Sequence, residues 1–89
     1  MQFGFLEKAW NVFEKLLVRD VVSWTALITG CVETGHGRLG IDYFEQMLLE
    51  GVLPNSVTYV SCLKACASIG DIKKAIQIHV EIDRRGIQD

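Results

Sequence analysis

No apolar run in this 89-residue sequence approaches the roughly 18 residues that a membrane-spanning helix needs, so we expect no membrane partner. Excess positive charge is missing too, since the formal net charge is −2. This balance argues against binding of nucleic acid through bulk electrostatic attraction to phosphates. Any nucleic-acid partner would have to be selected by local contacts. Hydrophobic residues make up 49% of the chain, which predicts that it folds.

Cysteine is scarce. Cys31, Cys62 and Cys66 are an odd number in a chain without a secretory signal, which argues against a disulfide framework. All three lie in apolar stretches, where free cysteine packs as a small hydrophobe. Cys62 and Cys66 stand one helical turn apart, but neither Cys31 nor His79 completes a recognised metal-ligand spacing. We therefore predict buried thiols and no metal site.

Catalytic motifs are missing as well. The sequence contains no glycine-rich phosphate loop and no nucleophile motif, so we predict neither an enzyme nor a cofactor. The amphipathic first 20 residues carry Glu7, Glu14 and Asp20, whereas organelle transit peptides avoid acidic residues. We therefore expect no transit peptide in this sequence.

The chain does contain a repeat. Three stretches align: FGFLEKAWNVF from Phe3, TGHGRLGIDYF from Thr34 and IGDIKKAIQIH from Ile69. Three positions of the alignment hold similar residues, spaced by 31 and then 35 residues. They are a glycine (Gly4, Gly35 and Gly70), a small residue (Ala9, Gly40 and Ala75) and a residue with a ring (Phe13, Phe44 and His79). Recurrence of the same residue types at intervals in this range is typical of a helical repeat array.

Each unit is predicted to be a hairpin of two helices. In the middle unit the first helix covers about 22–32, with a buried stripe at helical spacing formed by Trp24, Leu27, Ile28 and Cys31. The second covers about 38–50 and ends at Gly51, with Pro54 preventing its resumption. Its predicted buried residues are Leu39, Tyr43 or Phe44, Met47 and Leu48. We expect a small residue at Gly40 to allow close approach of the two helices.

The third unit follows the same plan, with helices over about 57–67 and 71–85. Asp71 is a candidate N-cap, and Gly86 ends the last helix. The predicted buried stripe of that helix is Ile72, Ala75, Ile76, His79 and Ile82. Residues 5–17 look like the second helix of an earlier unit. The fold prediction is an all-α superhelix, a solenoid of antiparallel helical hairpins with about two and a half repeats.

Three longer stretches resemble pentatricopeptide repeats, or PPR, of plant organelle proteins: LEKAWNVFEKLLVRD, DVVSWTALITGCVETGHGRLGIDYFEQMLLEGVLPN and SVTYVSCLKACASIGDIKKAIQIHVEIDRRGIQD. Residues 1–20 are similar to the end of a short unit, 21–55 to a canonical unit and 56–89 to a long one. That order is typical of the plant PLS-type arrays. The resemblance covers essentially the whole chain.

The resemblance implies a protein that binds single-stranded RNA, one nucleotide per repeat. In the family, the fifth residue of a unit's first helix and the last residue of the unit select the base. These positions map to Thr25 and Asn55, a pair similar to the one that favours adenine. The family's apolar residues that sandwich the base map to Val22 and Val57. The third unit has Val60 at its fifth position, which cannot read a base edge.

The chemistry of these side chains suits such a role. Thr25 follows Trp24 and so turns off the buried stripe towards the groove between units. A hydroxyl and an amide can each donate and accept hydrogen bonds. Apolar Val22 and Val57 would exclude water from a base held between them. The alternative is that Thr25 is merely a tolerated residue at the edge of a helix.

The resemblance further implies RNA processing or C-to-U editing in a mitochondrion or chloroplast, as part of a larger array. The Cys and His signature of the editing deaminase domain is not in this sequence, so any editing role would be guiding, with editing-factor proteins as candidate partners. Two alternatives remain open: a protein-interaction scaffold of the tetratricopeptide kind, or an inactive truncated remnant. Two and a half units expose apolar faces at both ends, which predicts self-association.

Overall fold

A computed structural model of the chain describes residues 20–86, which form four α-helices. These are α1 (Val21–Glu33), α2 (Gly37–Leu49), α3 (Ser56–Ile69) and α4 (Ile72–Arg85). All regular secondary structure in the described residues is helical, which confirms the all-α prediction. The four predicted helices agree with the observed bounds to within two residues at each end. The unit predicted over 1–20 lies, apart from Asp20, outside the described residues.

Each helix packs against the next, and α3 also packs against α1. The helices therefore form two hairpins, α1–α2 and α3–α4, with α3 seated on both helices of the first hairpin. Gly35 makes the tight turn between α1 and α2 at a φ of 81°, a conformation that glycine adopts without strain. Within the described part of the chain, no helix is both long and apolar enough to cross a membrane.

The core lies between the two hairpins, so stacking buries more than either hairpin could bury alone. The predicted stripe on α1 is confirmed, because Trp24, Leu27, Ile28 and Cys31 are all at most 8% exposed. On the other side the ring of Phe44 meets the ring of Tyr59 edge to face, with centroids 6.0 Å apart. Aromatic pairs favour this arrangement.

The prediction of buried thiols is also confirmed. Cys31 and Cys62 are 0% exposed and Cys66 is 1% exposed. Burial disfavours the thiolate, which raises the pKa of Cys31 to about 11 and the pKa of Cys62 to about 12.

Two glycines of α2 differ in what they require. A Cβ on Gly40 would lie 3.5 Å from the nearest atoms of α1, an ordinary contact, so this position needs a small residue but not a glycine. A Cβ on Gly37 would collide with the Ser68 side chain and come within 3.0 Å of the Ala65 carbonyl oxygen. Gly37 lies one residue before the predicted start of α2, but it is the first residue of that helix and is needed for the close approach of α3.

The predicted buried face of α2 is shifted. Phe44 and Met47 are buried as expected, and Leu39 is half-buried. Leu48 is 41% exposed, because it lies one position past Met47 and turns towards solvent. Ile41, which was not predicted, is only 3% exposed.

The predicted stripe of α4 is largely wrong for this structure. Ile72 is 72% exposed, Ile76 is 57% exposed and His79 is exposed, while Ile78 is the buried residue of the helix. Ala75 and Ile82 are partly buried against the core.

The repeat explains these exposed residues. The stripe falls 35 residues after the buried face of α2, so that Ile76 corresponds to Ile41 and His79 to Phe44. That face of α2 is buried by α3, the first helix of the next hairpin. No described helix packs on the equivalent face of α4. The periodicity therefore predicted an apolar face correctly, but it could not predict whether another helix buries that face.

Candidate nucleic-acid interface

Asn55, one of the two predicted base-reading residues, is the N-cap of α3. Its Oδ1 accepts hydrogen bonds from the backbone N–H of Thr58 at 3.0 Å and from the Thr58 hydroxyl at 2.9 Å. The backbone N–H of Asn55 donates in return to Thr58 Oγ1 at 3.2 Å. This reciprocal capping box fixes the side chain at the helix start, while Asn55 itself stays exposed. The cap was not predicted, although asparagine directly before a helix is its usual signal.

Thr25, the other predicted reader, faces the neighbouring hairpin. Its Oγ1 lies 2.6 Å from Thr58 Oγ1, across the junction between α1 and α3. The junction covers more of Thr25 than its position off the buried stripe suggested, because the residue is only 8% exposed. The structure thus connects Thr25 and Asn55 through one shared partner, Thr58. Nothing in the sequence pattern pointed to Thr58.

The predicted sandwiching residues remain open to solvent. Val22 is 68% exposed and Val57 is 59% exposed. They occupy the same position, 35 residues apart, in the first turns of α1 and α3. Val60, the counterpart of Thr25 in the third unit, is 48% exposed and brings no hydrogen-bonding group to its surface. The described start of each first helix therefore carries an exposed valine.

A second hydroxyl pair lies further along the same junction. Thr29 Oγ1 and Ser61 Oγ are 2.8 Å apart, about one turn after the Thr25–Thr58 pair. Ser61 is 7% exposed, and its hydroxyl finds its hydrogen-bond partner within the protein, in Thr29. Two polar contacts thus join α1 to α3 beside the apolar core.

Asp20 stands 35 residues before Asn55 and has the equivalent role at α1. Its carboxylate accepts a hydrogen bond from the backbone N–H of Ser23 at 2.9 Å. This bond is the main reason that the pKa of Asp20 lies below its ordinary value of 3.8. The residue in this position therefore caps the first helix of each described hairpin, α1 and α3.

The structure is that of a helical-hairpin repeat protein. Its hairpins stack with a period of 35 residues, and polar side chains cap the first helix of each described hairpin. Residues 19–68 match the PPR repeat family, and residues 57–87 match the PPR repeat. The chain belongs to the pentatricopeptide repeat family.

Curated relatives from Arabidopsis thaliana support this assignment. A chloroplastic pentatricopeptide repeat-containing protein is 48% identical over 76 residues, covering 85% of this chain and 12% of the relative. A mitochondrial one is 45% identical over 74 residues, covering 83% of the chain and 8% of the relative. Another mitochondrial one is 38% identical over 84 residues, covering 94% of the chain and 14% of the relative. The chain thus spans about a tenth of the length of these relatives.

Proposed function

We propose that this chain binds single-stranded RNA as a segment of a longer pentatricopeptide array, and that Thr25 and Asn55 together select one base. The observation that carries the proposal is the hydrogen-bonded path from Thr25 through Thr58 to Asn55. It holds two polar groups, 30 residues apart in sequence, at one junction.

The surroundings of this path suit a flat aromatic ligand. Val22 and Val57 leave apolar surface in water, at equivalent places on consecutive units. A base between two such side chains would remove that surface from water, and its edge would then face polar groups. The side-chain amide of Asn55 is exposed and can reach such an edge. The family pair with threonine and asparagine points to adenine.

Bulk charge contributes little to this mode of binding. The formal net charge of −2 offers no general attraction to phosphate, so affinity would come from base contacts and from neighbouring units of an array. A chain with so few units would bind weakly by itself. We expect a shallow dependence of binding on salt concentration for the same reason.

The proposal for the cellular role is based on the names of the relatives. Their names place some in chloroplasts and others in mitochondria, so we propose one of these organelles for the protein that contains this chain. The proposed task is to guide RNA processing or C-to-U editing, with any chemistry supplied by editing-factor partners. We further propose the PLS-type order of units, with boundaries at 1–20, 21–55 and 56–89.

The proposal is tested by titrating the 89-residue chain with short single-stranded RNAs that differ at one central base, followed by two-dimensional NMR. The expected result is a preference for adenine of about 5- to 150-fold, the ratio that corresponds to about 1–3 kcal/mol for a bidentate base contact. The signals of Val22, Val57 and the Asn55 side-chain amide should shift on binding.

A double variant tests the two readers directly. Thr25→Asn combined with Asn55→Asp should move the preference towards uridine, while the cap of α3 survives because aspartate caps helices as well as asparagine does. Val60→Ala is the matched control, and it should leave the preference unchanged. If the double variant keeps the base preference of the original chain, Thr25 and Asn55 do not read a base.

A further inference from the structure

We propose that Thr58, which belongs to the unit after the reading pair, is a positioning residue that fixes which hydrogen-bonding groups Thr25 and Asn55 present to a base. The inference rests on the proposed function. Thr58 is 0% exposed, so it cannot touch a base itself. It acts through its contacts with the two readers.

The Thr58 hydroxyl has all of its hydrogen-bonding capacity in use. A hydroxyl carries one proton and two acceptor lone pairs. The proton goes to Asn55 Oδ1 at 2.9 Å, because that oxygen can only accept. One lone pair accepts from the backbone N–H of Asn55 at 3.2 Å. What remains for Thr25, 2.6 Å away, is the second lone pair.

Thr25 is therefore the donor in its contact with Thr58. Its only proton is used there, so Thr25 Oγ1 can offer a ligand lone pairs but no proton. A threonine that could rotate freely would present either polarity. Thr58 removes that freedom and leaves Thr25 as an acceptor.

Asn55 is constrained in the complementary sense. Its Oδ1 accepts from both the backbone N–H and the hydroxyl of Thr58. A flip of the amide would turn Nδ2 towards the Thr58 N–H, and two donors would face each other. Oδ1 is thus held at the helix start, and the Nδ2 group is left to donate outwards.

The pair presents one acceptor, at Thr25, and one donor, at Asn55. Adenine offers the reverse on its Watson–Crick edge, an amino donor beside a ring-nitrogen acceptor. Guanine in the same pose has a carbonyl oxygen and a ring N–H, so both contacts would oppose like groups. The fixed polarity therefore favours adenine over guanine, although both purines fill the same space.

The test compares Thr58→Val, which keeps the shape but loses the hydroxyl, with Thr58→Ser, which keeps the hydroxyl. Each 89-residue variant is titrated with RNAs that carry adenine or guanine at the central base. Thr58→Val should lower the adenine-to-guanine affinity ratio about fivefold, in part by binding guanine more tightly. Thr58→Ser should keep the ratio of the original chain. A purely structural role would weaken both complexes equally.

Ser61→Ala supplies the matched control, because it removes the neighbouring hydroxyl contact with Thr29 from the same junction. It should leave the adenine-to-guanine ratio unchanged. If Thr58→Val keeps the original ratio while Thr25→Val loses it, Thr58 has no positioning role but the proposed function stands. If the unmodified chain shows no base preference, the proposed function itself fails.

A measurement on the unmodified chain covers the case in which Thr58→Val does not fold. NMR of slowly exchanging hydroxyl protons should place the Thr25 proton against Thr58 and the Thr58 proton against the Asn55 side chain. A Thr58 proton directed at Thr25 would overturn the inference.

Discussion

Arg85, in the last turn of α4, donates a hydrogen bond of 2.7 Å to the hydroxyl of Tyr59 in α3. Its guanidinium also lies 5.8 Å from the centre of the Tyr59 ring and donates to the Pro54 carbonyl oxygen at 3.4 Å. Pro54 directly precedes Asn55. The end of the second hairpin is thus tied to the segment that carries one of the proposed readers.

Removing Arg85 should lower the free energy of unfolding more than removing the Tyr59 hydroxyl to which it donates. Arg85→Ala leaves the hydroxyl of Tyr59, a residue that is 1% exposed, without its charged partner, so we expect a loss of about 1–3 kcal/mol in the free energy of unfolding. Tyr59→Phe removes the buried hydroxyl and should cost about 0.5–1.5 kcal/mol. Urea unfolding of both variants and of the double variant measures the coupling. Arg84→Ala, at the exposed neighbour, should stay within about 0.5 kcal/mol of the original chain, and strictly additive losses would rule out the coupling.

The glycines of α2 form a matched pair for a second prediction. Gly37→Ala should lower the free energy of unfolding by about 1–3 kcal/mol, since the added methyl group meets the Ala65 carbonyl oxygen and the Ser68 side chain. Gly40→Ala should raise it by up to about 1 kcal/mol, because the site has room and alanine favours the helix. Equal effects of the two substitutions in urea unfolding would contradict the close approach at Gly37.

Alkaline pH should weaken the fold through its thiols. Because burial raises the pKa of Cys31 to about 11 and that of Cys62 to about 12, the unfolded chain loses these protons first, near the ordinary value of 9.0. Their contribution is complete below pH 9 and is lost between pH 9 and about 11 to 12. The free energy of unfolding should therefore fall between pH 8 and pH 10, by more than in a variant with Cys31→Ala and Cys62→Ala.

Thiol labelling gives an independent check of the same burial. At pH 8 a thiol-specific reagent should modify the cysteines only as fast as the protein opens, and denaturant should accelerate labelling greatly. Fast labelling of Cys31 or Cys62 in the folded chain would be inconsistent with their burial.

Acid should act on the cap of α1. The folded-state pKa of Asp20 is lowered, so its carboxylate contributes stability above the ordinary value of 3.8, and this contribution is lost as the pH falls through the lower folded-state pKa. Asp20→Asn keeps a good cap that does not titrate. Helix content followed by circular dichroism should therefore depend more steeply on pH below 3.8 in the original chain than in this variant.

The exposed face of α4 should make the chain self-associate. Ile76 is 57% exposed, whereas its counterpart Ile41 is 3% exposed beneath α3. Ile76→Glu should lower the association measured by sedimentation velocity at increasing protein concentration. Leu49→Glu, at an 81% exposed position on α2, is the control for added charge. Equal sedimentation of all three proteins at every concentration would exclude this face as the contact.

The sequence predicted the helices well because apolar periodicity and glycine punctuation act locally. The stripe from Trp24 to Cys31, the end of α1 near residue 32 and the end of α4 at Gly86 were all predicted correctly. Whether an apolar helix face is buried depends on which helix packs against it, and the local sequence pattern does not contain that information. Ile76 repeats the pattern of Ile41, yet among the described residues a helix packs over Ile41 and none packs over Ile76.

The proposed site was predictable only in part. The repeat register located Thr25 and Asn55, whose side chains the structure joins through a common partner. Thr58 could not be found in the same way, because it lies 33 residues from Thr25 and stands out in no motif. The solvent exposure of Val22 and Val57 likewise depends on how the two hairpins stack.

The capping of α3 by Asn55 has a consequence for anyone who would exchange single repeats between arrays. A cut between Asn55 and Ser56 respects the sequence period but separates an amide from the hydroxyl that orients it. Grafts that end after Thr58 would carry the orienting group with its pair, and libraries assembled at that point should transmit base choice more faithfully. For base reading as we propose it, the module to exchange would end three residues after Asn55.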